Sequence, residues 1–476
     1  MSEQGGGPLV LTFDLGTQSA RAMLVDPAGN ILYKAQRRYE TPYVSPQPDW
    51  AEQDPDFYWR ELCAASRELK EKAGPDWARA IAVTLTCIRD TCVCVDIDGK
   101  PLRPAILWLD KREAHGLPRI PAAGKAAFAA IGMYESVKLQ RRMSACNWIK
   151  VNQPEIWKKT HKFLMLSAYL NYRLTGHYVD SCANLIGHIP FDSKERRWMR
   201  MSDLRRCIFE VEPEKLYSVV EPGERIGFVH RWAGEQTGIP EGMELIATGS
   251  DKGCETLGLS CTGPDKAALS FGTTATVQVT TQSYMEPLPF IPAYPAVLKG
   301  AYNPEVQIYR GYWLVSWFKR EFAAKEMAEA RQKGVSAEQL LNRRLAEVPP
   351  GCEGLLFQPY FTPGIAMPTA RGSIVGFRTG TPASICTGPS SRGSTTRCWT
   401  ACAPWKSGEA LRCGSCMRRA AAPRATRSAR SPQTCSACRC TASRPTRPAA
   451  WAAAWWPLPP RACTRICRPR RRPWCV

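Results

Sequence analysis

Three short segments hold residue types suited to moving a phosphate group. In the first, Asp14-Leu15-Gly16-Thr17-Gln18-Ser19, an apolar run ends in a polar turn. Gly16 lets the backbone approach a ligand closely. Successive turn N–H groups can form an anion-binding nest, with the Thr17 and Ser19 hydroxyls beside it. Asp14 could hold Mg2+ through water, because that ion keeps several waters and takes one or two carboxylates. The same composition also suits a plain hairpin turn. A second copy tips the balance: Ser270-Phe271-Gly272-Thr273-Thr274 follows another apolar run, and residues 267–276 repeat the pattern of residues 10–19. Two such turns could clamp the β- and γ-phosphates of a nucleotide.

In the second segment, Gly249-Ser250-Asp251-Lys252-Gly253, an apolar run ends in a glycine-flanked carboxylate. A hydroxyl nucleophile needs a base within hydrogen-bond reach, and phosphoryl transfer otherwise rests on positioning and charge stabilisation. Asp251 fits that base; it also fits a cap on the following helix. The third segment is Arg89-Asp90, which could grip vicinal hydroxyls, Arg donating and Asp accepting. A surface ion pair is the plainer use of such a dipeptide.

The elements that must position these residues are legible in outline. Leu9–Asp14, Ala20–Val25 and Ile31–Arg37 are apolar-rich runs joined by short turns, which predicts an antiparallel meander. Asp54-Pro55 predicts a helix start, with Tyr58, Leu62, Ala65 and Leu69 on one face. Strands are expected over Ile81–Thr86 and Thr91–Val95, with a turn at Asp98-Gly99. A helix is expected through Phe163, Leu166 and Leu170, stopped by Gly176. The two-copy repeat suggests a duplicated domain with a cleft between copies rather than a solenoid.

The chain resembles the FGGY family of carbohydrate kinases, which includes xylulokinases and glycerol kinases. The resemblance is carried by TFDLGTQSARAMLVD (12–26), DWAEQDPDFYW (49–59), IRDTCVCVDIDGKPLRPAILWLDKRE (88–113), YLNYRLTG (169–176), GSDKGCETLG (249–258) and SFGTTATV (270–277). It continues through GLLFQPYFTPG (354–364) and ARGSIVGFRTG (370–380), in the family's order. It implies an α/β fold of two ribonuclease-H-like domains, as in actin and hexokinase, closing on ATP and a sugar. By that likeness Asp14 organises Mg2+; Gly16, Thr17, Gln18 and Ser19, and Gly272, Thr273 and Thr274, line the phosphates; and Asp251 is the catalytic base. Arg89 and Asp90 fall where glycerol-kinase-like members hold substrate hydroxyls with an Arg-Glu pair, Asp90 being one methylene shorter. Trp50, Glu52, Trp108 and Asp110 are candidates for the sugar pocket wall. The Met-His of xylulokinase-like members is absent near Arg89, and Ala145 stands where a family signature has Lys, so the sugar is left open.

Composition breaks after residue 380. Residues 381–476 hold 17 Arg, Lys406, Glu409, no Asp and 11 of the 21 cysteines; the preceding 380 residues hold 46 basic and 42 acidic groups. The net charge of +21 therefore belongs mostly to the tail, and the body has an ordinary globular composition. Where the family has an amphipathic helix and a Gly-rich adenine loop, this tail has Arg, Pro, Ala, Cys, Thr, Ser and Trp, the composition of a GC-rich gene read out of frame. Codons can be chosen for three tail segments so that a shifted frame restores family-like sequence in the right order. The expected domains are 1–262 (sugar-binding), 263–380 (a partial ATP-binding domain) and 381–476 (an aberrant, disordered tail). Loss of the later second-domain packing is expected to exceed the ~5–15 kcal/mol by which domains are usually stable and to impair activity.

The expected function is an ATP- and Mg2+-dependent kinase acting on a small sugar or polyol. One alternative is an actin-like ATPase without a sugar. Another is a zinc- or nucleic-acid-binding protein acting through the tail, where Cys413-x2-Cys416 and Cys435-x2-Cys438 have a zinc-site spacing; specific nucleic-acid binding is not expected. The N-terminus lacks a basic stretch followed by an apolar run, and no run approaches the ~20 apolar residues of a membrane helix. A cytoplasmic protein is expected, with oligomeric state open.

Overall fold

The computed structural model describes residues 7–271, 275–288, 291–308, 313–345, 354–358, 361, 371–377, 379, 415–420 and 439–442. The chain divides into two compact units, one reaching Gly258 and taking in Ala296–Lys299, the other beginning at Leu259. The first unit runs β1 (Leu9–Leu15), β2 (Ser19–Val25), β3 (Ile31–Arg38), α1 (Pro55–Ala73), β4 (Ala80–Cys87), β5 (Cys92–Val95), α2 (Ala145–Asn152), β6 (Lys162–Met165), α3 (Leu166–Thr175), β7 (Arg225–Phe228), β8 (Glu244–Ile246) and α4 (Asp251–Gly258). Shorter elements lie between them. Among the described residues no helix is long and apolar enough to cross a membrane.

The predicted meander forms, with β2 antiparallel to both β1 and β3. β1 is buried along its whole length because β4 pairs parallel on its other side and β8 parallel to β4; β7 closes the edge. α1 starts as its sequence predicts: Asp54 accepts the Asp56 N–H at 3.0 Å and Pro55 sits in the first turn. Tyr58, Leu62, Ala65 and Leu69 are buried, and the helix packs over β2 and β3. One expectation needs correction. Phe163 belongs to β6, which pairs antiparallel with β5, and α3 begins only at Leu166. Gly176, at φ +75°, ends that helix as expected.

The second unit contains β9 (Lys266–Phe271), β10 (Ala275–Val279), β11 (Glu305–Ile308), β12 (Ser415–Ala420) and β13 (Arg439–Ala442), ordered β11-β10-β9-β12-β13. β9 is antiparallel to β10 and β10 to β11, while β9 is parallel to β12 and β12 to β13. In the first unit, β3-β2-β1-β4-β8 has the same order and the same directions. The sequence repeat is therefore a repeat of a five-strand sheet, with β9 and β10 as the counterparts of β1 and β2. Of the compositionally aberrant tail, Ser415–Ala420 and Arg439–Ala442 are described, as strands; the rest of residues 381–476 lies outside the described residues.

Candidate active site

In an open α/β sheet, ligands bind outside the carboxyl ends of the parallel strands. β1 reaches that end at Asp14-Leu15, in register with Thr86-Cys87 of β4. β8 leads on to Gly249, whose C=O accepts from Thr86 Oγ1 at 2.8 Å, and the Thr248 hydroxyl donates to the Leu85 C=O. Gly249 is needed here: a Cβ would lie 2.6 Å from Val297 Cγ2 and 3.0 Å from Ala183 Cβ. Burial raises the thiols of Cys87 and Cys254, the latter to about 12, and the carboxylates of both Asp14 and Asp251 push each further. The charges of both acids thus reach the same two buried thiols.

The first turn is closed by Gly16 N–H donating to the Ser19 C=O at 3.0 Å. That donor is spent within the turn. The N–H groups of Thr17 and Gln18 meet no protein acceptor among the described residues, so the nest expected here narrows to these two; Ser19 is already buried in β2. Asp14 is 5% exposed, and its Oδ2 accepts from Arg21 Nη1 at 2.8 Å. Arg21 stands directly opposite Asp14 in the β1–β2 ladder. A Cβ at Gly16 would lie 3.7 Å from Arg21 Nη1, and Arg21 Nε is buried without a partner among the described residues. The guanidinium therefore borders the turn. Sequence reasoning passed over Arg21, although strand pairing across a short turn would have placed it opposite Asp14.

Asp251 is the first residue of α4, but it does not cap it. Ser250 Oγ accepts the Gly253 N–H at 3.3 Å, as an N-cap does. Among the described residues, Asp251 Oδ1 accepts only the adjoining Lys252 N–H, at 2.8 Å. Trp108 lies on the loop after the short strand Ala105–Ile106, and its indole N–H donates to Thr17 Oγ1 at 3.1 Å. A sugar-wall candidate and a phosphate-turn candidate are thereby brought together.

Glu52 and Asp110 are placed differently. Glu52 Oε1 accepts from Arg103 and, at 2.9 Å, pairs with Arg112 Nη2. Asp110 binds Arg112 through both oxygens and also accepts the Ala51 N–H. The Arg112 guanidinium lies 3.8 Å from the Trp50 ring centroid and 4.6 Å from that of Trp148. This buried network locks the strand pair Glu52–Gln53 and Ala105–Ile106, and with it the loop that carries Trp108.

Arg89 and Asp90 follow β4. Asp90 is left-handed, at φ +53°, and its carboxylate is held by His188: Oδ1 accepts the His188 N–H at 3.0 Å and Oδ2 lies 2.9 Å from Nδ1. Burial alone would raise the Asp90 carboxyl, but His188 and, less strongly, Arg89 hold it below the usual carboxylate range. Burial alone would lower the imidazole, but Asp90 raises it above its ordinary value. His188 had no sequence signal, since its partner is 98 residues away. Gly272, Thr273 and Thr274 lie outside the described residues.

For Mg2+ the donor chemistry fits. Asp14 offers a hard carboxylate oxygen, Oδ1, that meets no protein donor among the described residues. Among those residues no three His, Cys, Asp or Glu cluster as a metal cage. An ion here would therefore draw on Asp14, waters and nucleotide oxygens.

A duplicated five-strand α/β unit with carboxylates and a hydroxyl-bearing turn at its strand ends suits chemistry on a nucleotide's phosphates. Residues 9–258 match the N-terminal domain of the FGGY family of carbohydrate kinases; the chain belongs to that family. It is 26% identical over 375 residues to an uncharacterized sugar kinase of Escherichia coli K12, covering 77% of this chain and 67% of the relative. It is 25% identical over 373 residues to the xylulose kinase of Lactococcus lactis subsp. lactis IL1403, covering 77% and 71%. The fold matches the crystal structure of xylulose kinase from Rhodospirillum rubrum with a TM-score of 0.76, at 23% identity, over 94% of this chain and 89% of that one. The chain has the two-domain actin-like ATPase fold and is an ATP-dependent carbohydrate kinase, a phosphotransferase with an alcohol group as acceptor.

Proposed function

We propose that this kinase phosphorylates a hydroxyl of a small sugar or polyol, with Asp251 as the base, Arg89, Asp90 and Trp108 as substrate ligands, and the Gly16–Gln18 turn as a phosphate site. The observation that carries the reading is the meeting of Asp14, Thr17, Trp108 and Asp251 around the carboxyl ends of β1, β4 and β8. Asp251 is relieved of capping by Ser250 and so has a carboxylate oxygen for the substrate proton, as general-base catalysis requires. The Thr17 and Gln18 N–H groups and the Arg21 guanidinium stabilise negative charge on the phosphates. Mg2+, when bound near Asp14, supplies further neutralisation of phosphate oxygens. Gly272, Thr273 and Thr274 take the second phosphate turn on the strength of the sequence repeat and of the matching β9–β10 pairing around them. Glu52 and Asp110 act beneath the wall through Arg112 rather than on the sugar.

The tail is read as an out-of-frame version of the family's sequence, and this copy as impaired. Its composition supports this. ADP release is measured with D-xylulose, glycerol and other polyols, for this chain and for one whose frame is restored after Gly380. The restored chain should release ADP in response to at least one sugar. Asp251→Asn should lower kcat by about 10²–10⁴ while sugar binding persists. ATP turnover indifferent to every sugar would sink the substrate reading, and equal, full activity of both chains would sink the reading of the tail.

A further inference from the structure

We infer that His188 is a positioning residue for sugar recognition, fixing the Asp90 carboxylate in the orientation in which it receives a substrate hydroxyl. The inference rests on the reading of Asp90 as a sugar ligand.

The segment Ile186–His188 is folded around Asp90. The Asp90 N–H donates to the Ile186 C=O at 3.2 Å, which holds Asp90 in a left-handed conformation that a residue with a side chain seldom adopts. Gly187, at φ +142°, leaves room for the carboxylate, since a Cβ there would collide with Asp90 Oδ1. The His188 N–H and Nδ1 then grip the two oxygens. An ionised carboxylate has about four acceptor positions, so the grip leaves acceptor capacity for a hydroxyl. The pair is not sealed: the His188 side chain is 24% exposed and that of Asp90 30%. On its closed side, the imidazole meets the Phe209 ring edge-on at 5.8 Å.

Among the described residues, charged and titratable groups approach the pair from several segments, Arg103 among them through its effect on Cys92. Arg89 shares the loop and lowers the Asp90 carboxyl. Cys92 of β5 feels the Asp90 charge. Cys146 of α2 faces the His188 C=O at 4.0 Å, and Lys150 and, less strongly, Glu210 act on that thiol in turn. His188 is thus the group that holds both carboxylate oxygens, and the Nδ1 contact survives deprotonation because a neutral imidazole can keep its proton on Nδ1. Removing it would leave a burial effect that raises the Asp90 carboxyl.

The test is a titration of the full chain with D-xylulose and glycerol, followed by calorimetry, for the wild type, Asp90→Asn, His188→Phe and His188→Asn. His188→Phe keeps a ring against Phe209 but has no donor; His188→Asn returns an amide N–H near the position of Nδ1. We expect His188→Phe to weaken the better sugar about tenfold, His188→Asn to recover most of that, and the loss of binding on acidification to begin at higher pH in His188→Phe. A second readout needs no sugar: the His188 ring 13C signal should titrate above the ordinary imidazole value, and fall back in Asp90→Asn. If Asp90→Asn weakens binding while His188→Phe does not, the positioning role is wrong and the reading of Asp90 stands. If Asp90→Asn leaves binding unchanged, or neither sugar binds, both fall. A ring signal titrating at the ordinary value also overturns the inference.

Discussion

The indole N–H of Trp108 donates to Thr17 Oγ1 across 3.1 Å, joining the candidate wall of the sugar pocket to the candidate phosphate turn. A wall residue needs only its apolar face, so the hydrogen bond lets Trp108 also hold Thr17 in place. Trp108→Phe keeps most of the face and loses the donor. A neutral hydrogen bond contributes about 0.5–1.5 kcal/mol, so ATP handling should worsen up to about tenfold in kcat/KM for ATP. Steady-state ADP release at varied ATP and saturating sugar measures this. An effect confined to the KM for the sugar would show that the bond does not position the turn.

Gly249 allows the strand-to-helix corner before Asp251 to pass close under Ala183 and Val297. Gly249→Ala puts a methyl group 2.6 Å from Val297 Cγ2, and overpacking of this kind costs about 1–3 kcal/mol. The corner has to move, and Asp251 moves with it. Urea denaturation should show a loss in that range, and sugar-dependent turnover should fall further than the loss of folded protein explains. Wild-type stability and turnover in Gly249→Ala would mean that the corner relaxes without disturbing the base.

How much of this was legible follows from how far apart the cooperating residues lie. The β1–β3 meander and α1 depend on alternation, short turns and an Asp-Pro start, all local, and they form where the sequence places them. Phe163 does not: its apolar run fits a helix, but pairing with Cys94 of β5 makes it a strand. Asp251 was ambiguous between base and cap because the deciding residue is its neighbour Ser250, and either residue type caps a helix well. Glu52 and Asp110 have the composition of ligands, yet both are buried beside Arg103 and Arg112; a carboxylate taken out of water needs a cation. The pairing of His188 with Asp90 has no local trace at all.

Arg112 is the centre of that buried network. It pairs with Glu52 and Asp110 while its guanidinium lies against both Trp50 and Trp148, whose rings meet edge to face. Arg112→Met fills similar space but strands the Asp110 charge, and breaking a buried ion pair in this way costs about 3–5 kcal/mol. Arg112→Lys should recover only part, because an ammonium lacks the planar fork that serves two carboxylates and two rings. Chemical denaturation of both variants checks the order wild type, Lys, Met. A loss below about 1 kcal/mol in Arg112→Met would place the network among surface ion pairs instead.

Asp180, in the strand Val179–Ser181, is wholly buried against α3. Burial raises its carboxyl to about 6 even though Ser167, Asn184, Asn171 and the Ser181 N–H donate to it. A carboxyl raised in the folded state favours folding most when protonated. Its contribution is full below the unfolded value of about 3.9, and it is lost as pH rises through about 6. The difference across that window is about 3 kcal/mol. Asp180→Asn removes the titration. Other carboxylates of the fold impose the opposite slope, so the quantity to read is wild-type minus variant stability, by urea denaturation at pH 4.5 and pH 7. The difference should shrink, to the variant's relative advantage, as pH rises. A difference independent of pH would show that Asp180 stays ionised across the window, held by its four donors more strongly than burial opposes it.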